Sequence, residues 1–246
     1  VSHEQLGREG RRLRPRYWEK LAAGTLLLKL EADRRGVTLT AFSGKERRAR
    51  WTTRLEAVAW RPDRWRHLAQ RTAAALLTRL FGERSYASTR IAFVRGGGKD
   101  SRVLVMDFDG SHLEQRSVRG HESVLPSWSP RNELTFTSYL WRNPDLFIVR
   151  RGRAYRLSRQ PGLNTGARWA PDGRRLALTL SRDKNAEIYV LDRRGKVQRR
   201  LTNHRSIDTS PSWSPDGKEI VFVSARSGSP QLWLMPLGGG TPRQLT

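Results

Sequence analysis

A tryptophan-containing motif recurs through the second half of the chain at a nearly constant spacing. Its copies are PSWSP at residues 126–130, ARWAPDG at 167–173 and PSWSPDG at 211–217. Their tryptophans, Trp128, Trp169 and Trp213, are separated by 41 and 44 residues. Because a fixed period of about 40–45 residues is the signature of a repeat architecture, this spacing constrains the fold of the whole segment.

Two apolar runs accompany the motif in each repeat. The first run places Phe93, Phe136, Leu178 and Phe222 at one common position, so a fourth repeat precedes the three that carry tryptophan. The second run recurs at residues 103–106, 146–149, 188–191 and 232–235, and a polar closing element is clearest at 198–202 and 242–246. Up to four short strands per repeat predict the blades of a β-propeller.

Turn residues support this interpretation. Pro-Asp-Gly ends the motif at Gly173 and Gly217, where proline sets φ near −65° and glycine accepts a positive φ. In the earlier copy Asn132 stands where the glycine would be. A tight reversal between the first and second strands of each blade is therefore expected. Trp128, Trp169 and Trp213 could form a platform for stacking a ligand, but a large ring repeated once per blade is more typical of packing between sheets.

The first half of the chain has a different pattern. Residues 25–32, 37–42 and 51–59 are predicted strands, and a helix is predicted to begin at Pro62-Asp63 and to end at Gly82. The fold class is thus mainly β with an N-terminal α/β module. The expected domains are residues 1–83, an N-terminally incomplete α/β domain, and residues 84–246, the first four blades of a C-terminally incomplete propeller.

The chain carries a formal net charge of +24, and only seven of its 47 basic residues are lysine. The arginines are scattered, which favours a compositional bias over a dedicated polyanion site, although a nucleic-acid or anionic-surface binder stays an alternative. No apolar stretch approaches the roughly 18 residues needed to cross a bilayer. Cysteine is absent, so no disulfide or thiolate metal site can form.

Motifs for catalysis or cofactor binding are missing. The five histidines show no metal-ligand spacing, and no Gly-x-Ser-x-Gly elbow is present. The glycines before Lys99 lack the spacing of a phosphate-binding loop and are interpreted as a hairpin loop. Residues 107–110 resemble the start of a calcium loop without its later ligands and are interpreted as a turn. We therefore expect no enzyme, no cofactor and no metal.

The α/β module, the junction at residues 89–94 and the Pro-Asp-Gly turns of the blades together resemble the TolB family of the bacterial Tol-Pal envelope system. This resemblance implies a six-bladed propeller, of which four blades are present here, behind an N-terminal domain. It also implies a non-enzymatic periplasmic scaffold that binds the peptidoglycan-associated lipoprotein Pal and supports outer-membrane integrity and constriction during cell division. Export would need a signal peptide, which this chain does not show.

Further expectations concern partners and sites. The family's TolA-binding tail is not recognisable before Tyr17, and the complete protein is expected to be a monomer. First strands line the central channel of a propeller, so the loops that lead into them lie at its mouth. By the resemblance, the Pal site comprises Ser123, Val124, Leu163, Asn164, Thr165, Gly166, Asp208, Thr209 and Ser210. The alternative from another class is the propeller of a prolyl-oligopeptidase-like serine peptidase without its catalytic domain.

Overall fold

The computed structural model describes residues 26–33, 36–43, 49–56, 65–82, 86 and 88–246. The chain divides into two compact units, Val1–Thr89 and Arg90–Thr246. The first unit contains an antiparallel sheet in the order β1-β2-β3 and one helix. Its elements are β1 (Leu26–Asp33), β2 (Gly36–Ser43), β3 (Ala49–Glu56) and α1 (Trp65–Phe81).

The elements of the first unit follow from local sequence. Val37, Leu39 and Ala41 are buried and alternate with half-buried threonines, as expected for a strand with one face on a core. The helix ends where predicted, because Gly82 adopts φ +73° and its N–H bonds the Thr78 carbonyl at 3.0 Å. Leu77, in the second half of the helix, is 41% exposed. The predicted helix start at Pro62-Asp63 lies outside the described residues.

The second unit consists of four consecutive antiparallel sheets, in agreement with the predicted partial propeller. The first sheet, blade 1, has three strands; blades 2, 3 and 4 have four each. Their bounds are β4 (Arg90–Arg95), β5 (Arg102–Asp107) and β6 (Glu114–Gln115); β7 (Ser123–Trp128), β8 (Leu134–Trp141), β9 (Asn143–Arg150) and β10 (Arg153–Ser158); β11 (Asn164–Trp169), β12 (Arg175–Asp183), β13 (Asn185–Asp192) and β14 (Val197–Arg200); β15 (Asp208–Trp213), β16 (Glu219–Ser224), β17 (Gln231–Pro236) and β18 (Arg243–Gln244).

The predicted reversals join the first and second strands of blades 2, 3 and 4. Asn132, Gly173 and Gly217 adopt φ values of +60°, +62° and +71°. Their N–H groups bond the carbonyls of Ser129, Ala170 and Ser214 at 2.9 to 3.0 Å. Asparagine therefore substitutes for glycine at this turn, because its short polar side chain tolerates the left-handed conformation.

Apolar cores lie between blades rather than within them. One cluster joins Leu134 and Phe136 of blade 2 to Val103 and Val105 of blade 1. A second joins blade 2 to blade 3, and a third joins blade 3 to blade 4. Within the second unit, adjacent sheets therefore bury their facing surfaces against each other.

The three tryptophans occupy equivalent places and each contacts the preceding blade. They end the first strands β7, β11 and β15 and pair with Leu134, Leu176 and Ile220. Trp169 Nε1 donates to Thr135 Oγ1 at 3.2 Å, and Trp213 Nε1 donates to the Arg168 carbonyl at 3.0 Å. The Arg90 guanidinium lies 4.8 Å from the Trp128 ring centroid. These contacts support a packing role.

An ion pair also crosses from blade 2 to blade 3. The Glu133 carboxylate accepts from Arg193 Nε and Nη2 at 3.1 and 3.0 Å and from Arg150 Nε at 3.1 Å. The hydrogen bond from Arg193, followed by that from Arg150, holds the pKa of Glu133 below its usual value of 4.5 despite the opposing effect of burial. Ionised Glu133 therefore stabilises the contact between the two blades.

We predict that Trp169→Ala lowers the free energy of unfolding by about 3–5 kcal/mol, as for other large aromatic residues truncated in a core. Trp169 is 7% exposed, whereas Trp213 is only half-buried, so Trp213→Ala should cost less. Urea unfolding followed by circular dichroism would measure both. Equal losses for the two variants would contradict the inter-blade packing of Trp169.

We predict that Glu133→Gln destabilises the protein at neutral pH but has a shrinking effect under acid. A folded-state pKa below 4.5 means that the carboxylate stabilises the fold above that pH and loses this contribution as pH falls through its lowered pKa. Urea unfolding at several pH values would show it. The control Glu114→Gln, whose side chain is 53% exposed, should change stability little at any pH.

Candidate functional site

The residues expected in the incoming loops lie mostly in strands. The first strands begin at Ser123, Asn164 and Asp208, so eight of the nine predicted Pal-contacting residues belong to β7, β11 and β15, and only Leu163 precedes its strand. The loop placement was therefore wrong. Its physical reason is backbone pairing: Ser123, Asn164 and Asp208 already face Ser138, Leu180 and Ser224 in the ladders.

The three residues that begin the first strands are completely buried. Ser123 Oγ donates to Ser138 Oγ at 3.0 Å, and Asn164 Nδ2 donates to the carbonyls of Gln160 and Gly162 at 2.6 and 3.0 Å. Buried polar groups of this kind hold the incoming loop in place. Ser123, Asn164 and Asp208 therefore shape the surface and cannot themselves touch a partner.

Asp208 is the charged member of this set. Its Oδ2 accepts from Arg226 Nη2 at 2.7 Å, and the Arg226 side chain is only 12% exposed. The guanidinium also lies 5.2 Å from the Phe222 ring centroid and 5.1 Å from that of Trp233. The pair thus anchors the start of β15 to the second and third strands of the same blade.

A β-bulge follows two residues later in each of the three blades. Leu125, Gly166 and Ser210 adopt φ values of +54°, +67° and +54°, and the strand register shifts at the same points. Bulges bend a strand and redirect its side chains, and they are frequent beside binding sites. Leu125 and Ser210 adopt the left-handed conformation although neither is glycine. The recurrence of the bulge in the three blades is therefore visible in the structure but not in the sequence.

Apolar side chains are exposed along the edge where the first strands begin, which we call the loop face. Leu125 is 44% exposed, Leu163 36% and Ile207 58%. Tyr139 and Trp141, in the hairpins of the same edge, are 38% and 53% exposed. Ile207 was not among the predicted Pal-contacting residues, although a large apolar residue directly before the polar first residue of a strand is a usable signal in the sequence.

The first strands of neighbouring blades contact one another. β7 contacts β11, and β11 contacts β15. Val124, Thr165 and Thr209, the second residues of β7, β11 and β15, are half-buried and remain partly accessible. The exposed and half-buried side chains therefore belong to adjacent strand ends and form a surface suited to binding another protein.

A short hydrogen bond holds the Tyr189 side chain near the loop face. Tyr189 Oη donates to Asp183 Oδ2 at 2.5 Å. Burial, followed by this hydrogen bond, raises the pKa of Tyr189 to about 12, and the same bond lowers the pKa of Asp183. Tyr189 is therefore a protonated donor at physiological pH and Asp183 an ionised acceptor.

The glycine-rich segment before Lys99 and residues 107–110 form ordinary turns. Residues 96–101 connect β4 to β5 and include a 3₁₀ turn at Gly98–Asp100, as the hairpin interpretation predicts. Gly110 N–H bonds the Asp107 carbonyl at 2.9 Å, which closes the predicted turn after β5. In the part of the chain that the structure describes, no cluster of three His, Asp or Glu side chains could hold a metal ion. Nor does any described helix have the length and apolar character to span a membrane.

Comparison with known proteins gives consistent matches. The family model of the TolB β-propeller domain matches residues 77–246. The Tol-Pal system protein TolB of Gluconobacter oxydans is 35% identical over 148 residues, which cover 56% of this chain and 32% of that protein. The corresponding protein of Desulfosudis oleivorans is 36% identical over 147 residues, covering 58% and 33%. The chain thus spans about a third of the length of these relatives in the matched regions.

A solved structure resembles most of the chain. The crystal structure of TolB from Acinetobacter baumannii superposes with a TM-score of 0.73 at 25% sequence identity. The superposition covers 90% of this chain and 57% of that protein. The arrangement of blades therefore agrees with that of the solved protein.

We predict that Asp208→Ala destabilises the propeller by about 3–5 kcal/mol, because it leaves the largely buried Arg226 without its partner. Thr209→Ala, one residue further along the strand, should cost less than about 1 kcal/mol because it removes only a half-buried side chain. Thermal and urea unfolding would measure both variants. A stable Asp208→Ala protein would contradict the structural role assigned to this carboxylate.

Proposed function

Since the chain belongs to the TolB β-propeller family, we propose that it serves the Tol-Pal system as a protein-binding scaffold and not as an enzyme. The names of the matched relatives support the assignment to this system. The proposed compartment is the periplasm, and the proposed partner is the lipoprotein Pal. Support of outer-membrane integrity and of constriction during division would follow from that contact.

The observation that carries the proposal is the exposed apolar surface of the loop face. Leu125, Leu163 and Ile207 lie near the start of three successive first strands and are 44%, 36% and 58% exposed. Covering such side chains with a partner makes the free energy of binding more favourable by about 25 cal/mol per Å² of apolar surface removed from water. A partner that spans several blades is therefore favoured.

Polar groups would give this contact its specificity. Thr165 and Thr209 flank the apolar side chains and are half-buried, so their hydroxyls lie in a preorganised strand rather than in a mobile loop. The bulges at Gly166 and Ser210 leave the local ladder interrupted beside them. Preorganised donors and acceptors lower the entropy cost of association.

The test replaces Leu163 and Thr209 by arginine in one protein and measures its affinity for purified Pal by calorimetry. The added bulk and charge at the loop face should weaken binding at least about tenfold, as for residues at the centre of an interface. Gly166 is left unchanged because its φ of +67° would strain any side chain introduced there. The substitutions at Leu163 and Thr209 leave the backbone conformation of the strands unchanged.

The matched control replaces Leu113 and Thr241 by arginine; both are exposed and lie in the β5–β6 and β17–β18 turns, outside the loop face. It adds the same charge and removes comparable apolar surface, so its affinity for Pal should stay near that of the parent chain. If the loop-face variant folds normally and still binds Pal with unchanged affinity, the proposed site is wrong. Equal weakening of both variants would indicate a charge effect and would also reject the site.

A further inference from the structure

A groove opens on the edge of the propeller opposite the loop face. This edge, which we call the turn face, carries the turns between first and second strands and between third and fourth strands. The groove has a volume of about 360 Å³ and lies between blades 2 and 3. Its lining residues are Arg131, Arg174, Asp192, Arg193 and Arg194.

The acidic groups near the groove are already engaged. Asp192 Oδ1 accepts from the backbone N–H groups of Arg194 and Lys196 at 2.8 and 2.9 Å, and this bonding shapes the turn itself. Glu133 is held by Arg150 and Arg193. Neither carboxylate forms an ion pair with Arg131, Arg174 or Arg194.

Three guanidinium groups remain without an acidic partner. Arg131, Arg174 and Arg194 form no ion pair with any residue that the structure describes. All three are exposed, and they come from three different turns. With the two engaged arginines and the two engaged acids included, the groove carries three more positive than negative charges.

The surroundings hold this charge in place. Arg193 is fixed bidentately by Glu133, and Arg150 Nη2 donates to the Arg193 carbonyl at 3.0 Å. Arg131 runs across Gly173, where an added Cβ would lie 3.3 Å from its Cγ and Nε. The glycine thus leaves room for the Arg131 side chain beside the turn that carries Arg174. Convergence of the arginines depends on the packing of blade 2 against blade 3.

We propose that this groove is a binding site for a phosphate-bearing anion. Each planar guanidinium offers a fork of donors that matches two phosphate oxygens, and a phosphate with two negative charges can accept from several forks at once. The volume exceeds that of a single phosphate and suits a diphosphate or a phosphate monoester on a larger ligand. The site lies on the turn face and is independent of the surface proposed for Pal.

The test titrates inorganic pyrophosphate into the protein by calorimetry at fixed ionic strength. A groove variant carries Arg131→Gln, Arg174→Gln and Arg194→Gln. A control variant carries Arg95→Gln, Arg119→Gln and Arg243→Gln, which are exposed residues outside the groove. Both variants lose the same charge, so long-range attraction falls equally and only the local donors differ. A thermal unfolding scan checks both folds, and Arg194→Gln alone serves if the triple groove variant does not fold.

We expect the groove variant to bind pyrophosphate at least about tenfold more weakly than the control, because it lacks the charge-assisted hydrogen bonds of three guanidinium groups. Sedimentation with phosphatidylcholine vesicles that contain phosphatidic acid tests a lipid headgroup as the source of the phosphate. Vesicle binding that only the groove variant loses would identify the headgroup; pyrophosphate binding without vesicle binding would identify a soluble ligand. Equal behaviour of the two variants with both probes, or no binding by the parent protein, would overturn the proposal.

Discussion

Burial of each sheet against the next is the constraint on which the propeller depends. The cluster between blades 2 and 3 contains Leu146 and Ile148 from one sheet and Leu178 and Leu180 from the other, all at most 1% exposed. A single four-stranded blade would leave one or both of these faces in water, at a cost of several kcal/mol. Blades therefore stabilise one another in sequence order, and the tryptophan hydrogen bonds and the Glu133 ion pair add directional contacts to the same interfaces.

This packing also explains why the two edges of the sheets differ. At the loop face the chain must pass from one blade to the next, and the buried side chains of Ser123, Asn164 and Asp208 satisfy polar groups at the passage. Leu125, Leu163 and Ile207, which lie close to these buried residues in the sequence, are exposed. At the turn face the chain only reverses within a blade, so short turns bring charged side chains from different blades close together.

The sequence predicted the strands and turns, which depend on local pattern. It did not predict features that depend on burial between residues far apart in the chain. Strand periodicity located the four sheets, and the Pro-Arg-Asn turn correctly placed a left-handed residue at Asn132. The family resemblance placed Ser123, Asn164 and Asp208 in the loops that lead into the first strands, yet pairing and hydrogen bonds across the blade place them in strands. The left-handed conformation of Leu125 and Ser210 leaves no local signature, since neither is glycine. Which predicted Pal-contacting side chains are accessible therefore required the structure.

Net charge illustrates the same limit, because arginine has two opposite uses in this fold. Arg226 and Arg156 each combine a carboxylate, Asp208 or Asp145, with an aromatic ring and thereby act as parts of the blades. Arg131 and Arg174 lie 43 positions apart in the sequence and meet only because blade 2 packs on blade 3. A total of +24 cannot distinguish these uses. Scattered arginines are therefore compatible with a compositional bias and with a local anion site at once. What distinguishes Arg131 and Arg174 is that they have no ion-pair partner among the described residues, not the number of basic residues in the chain.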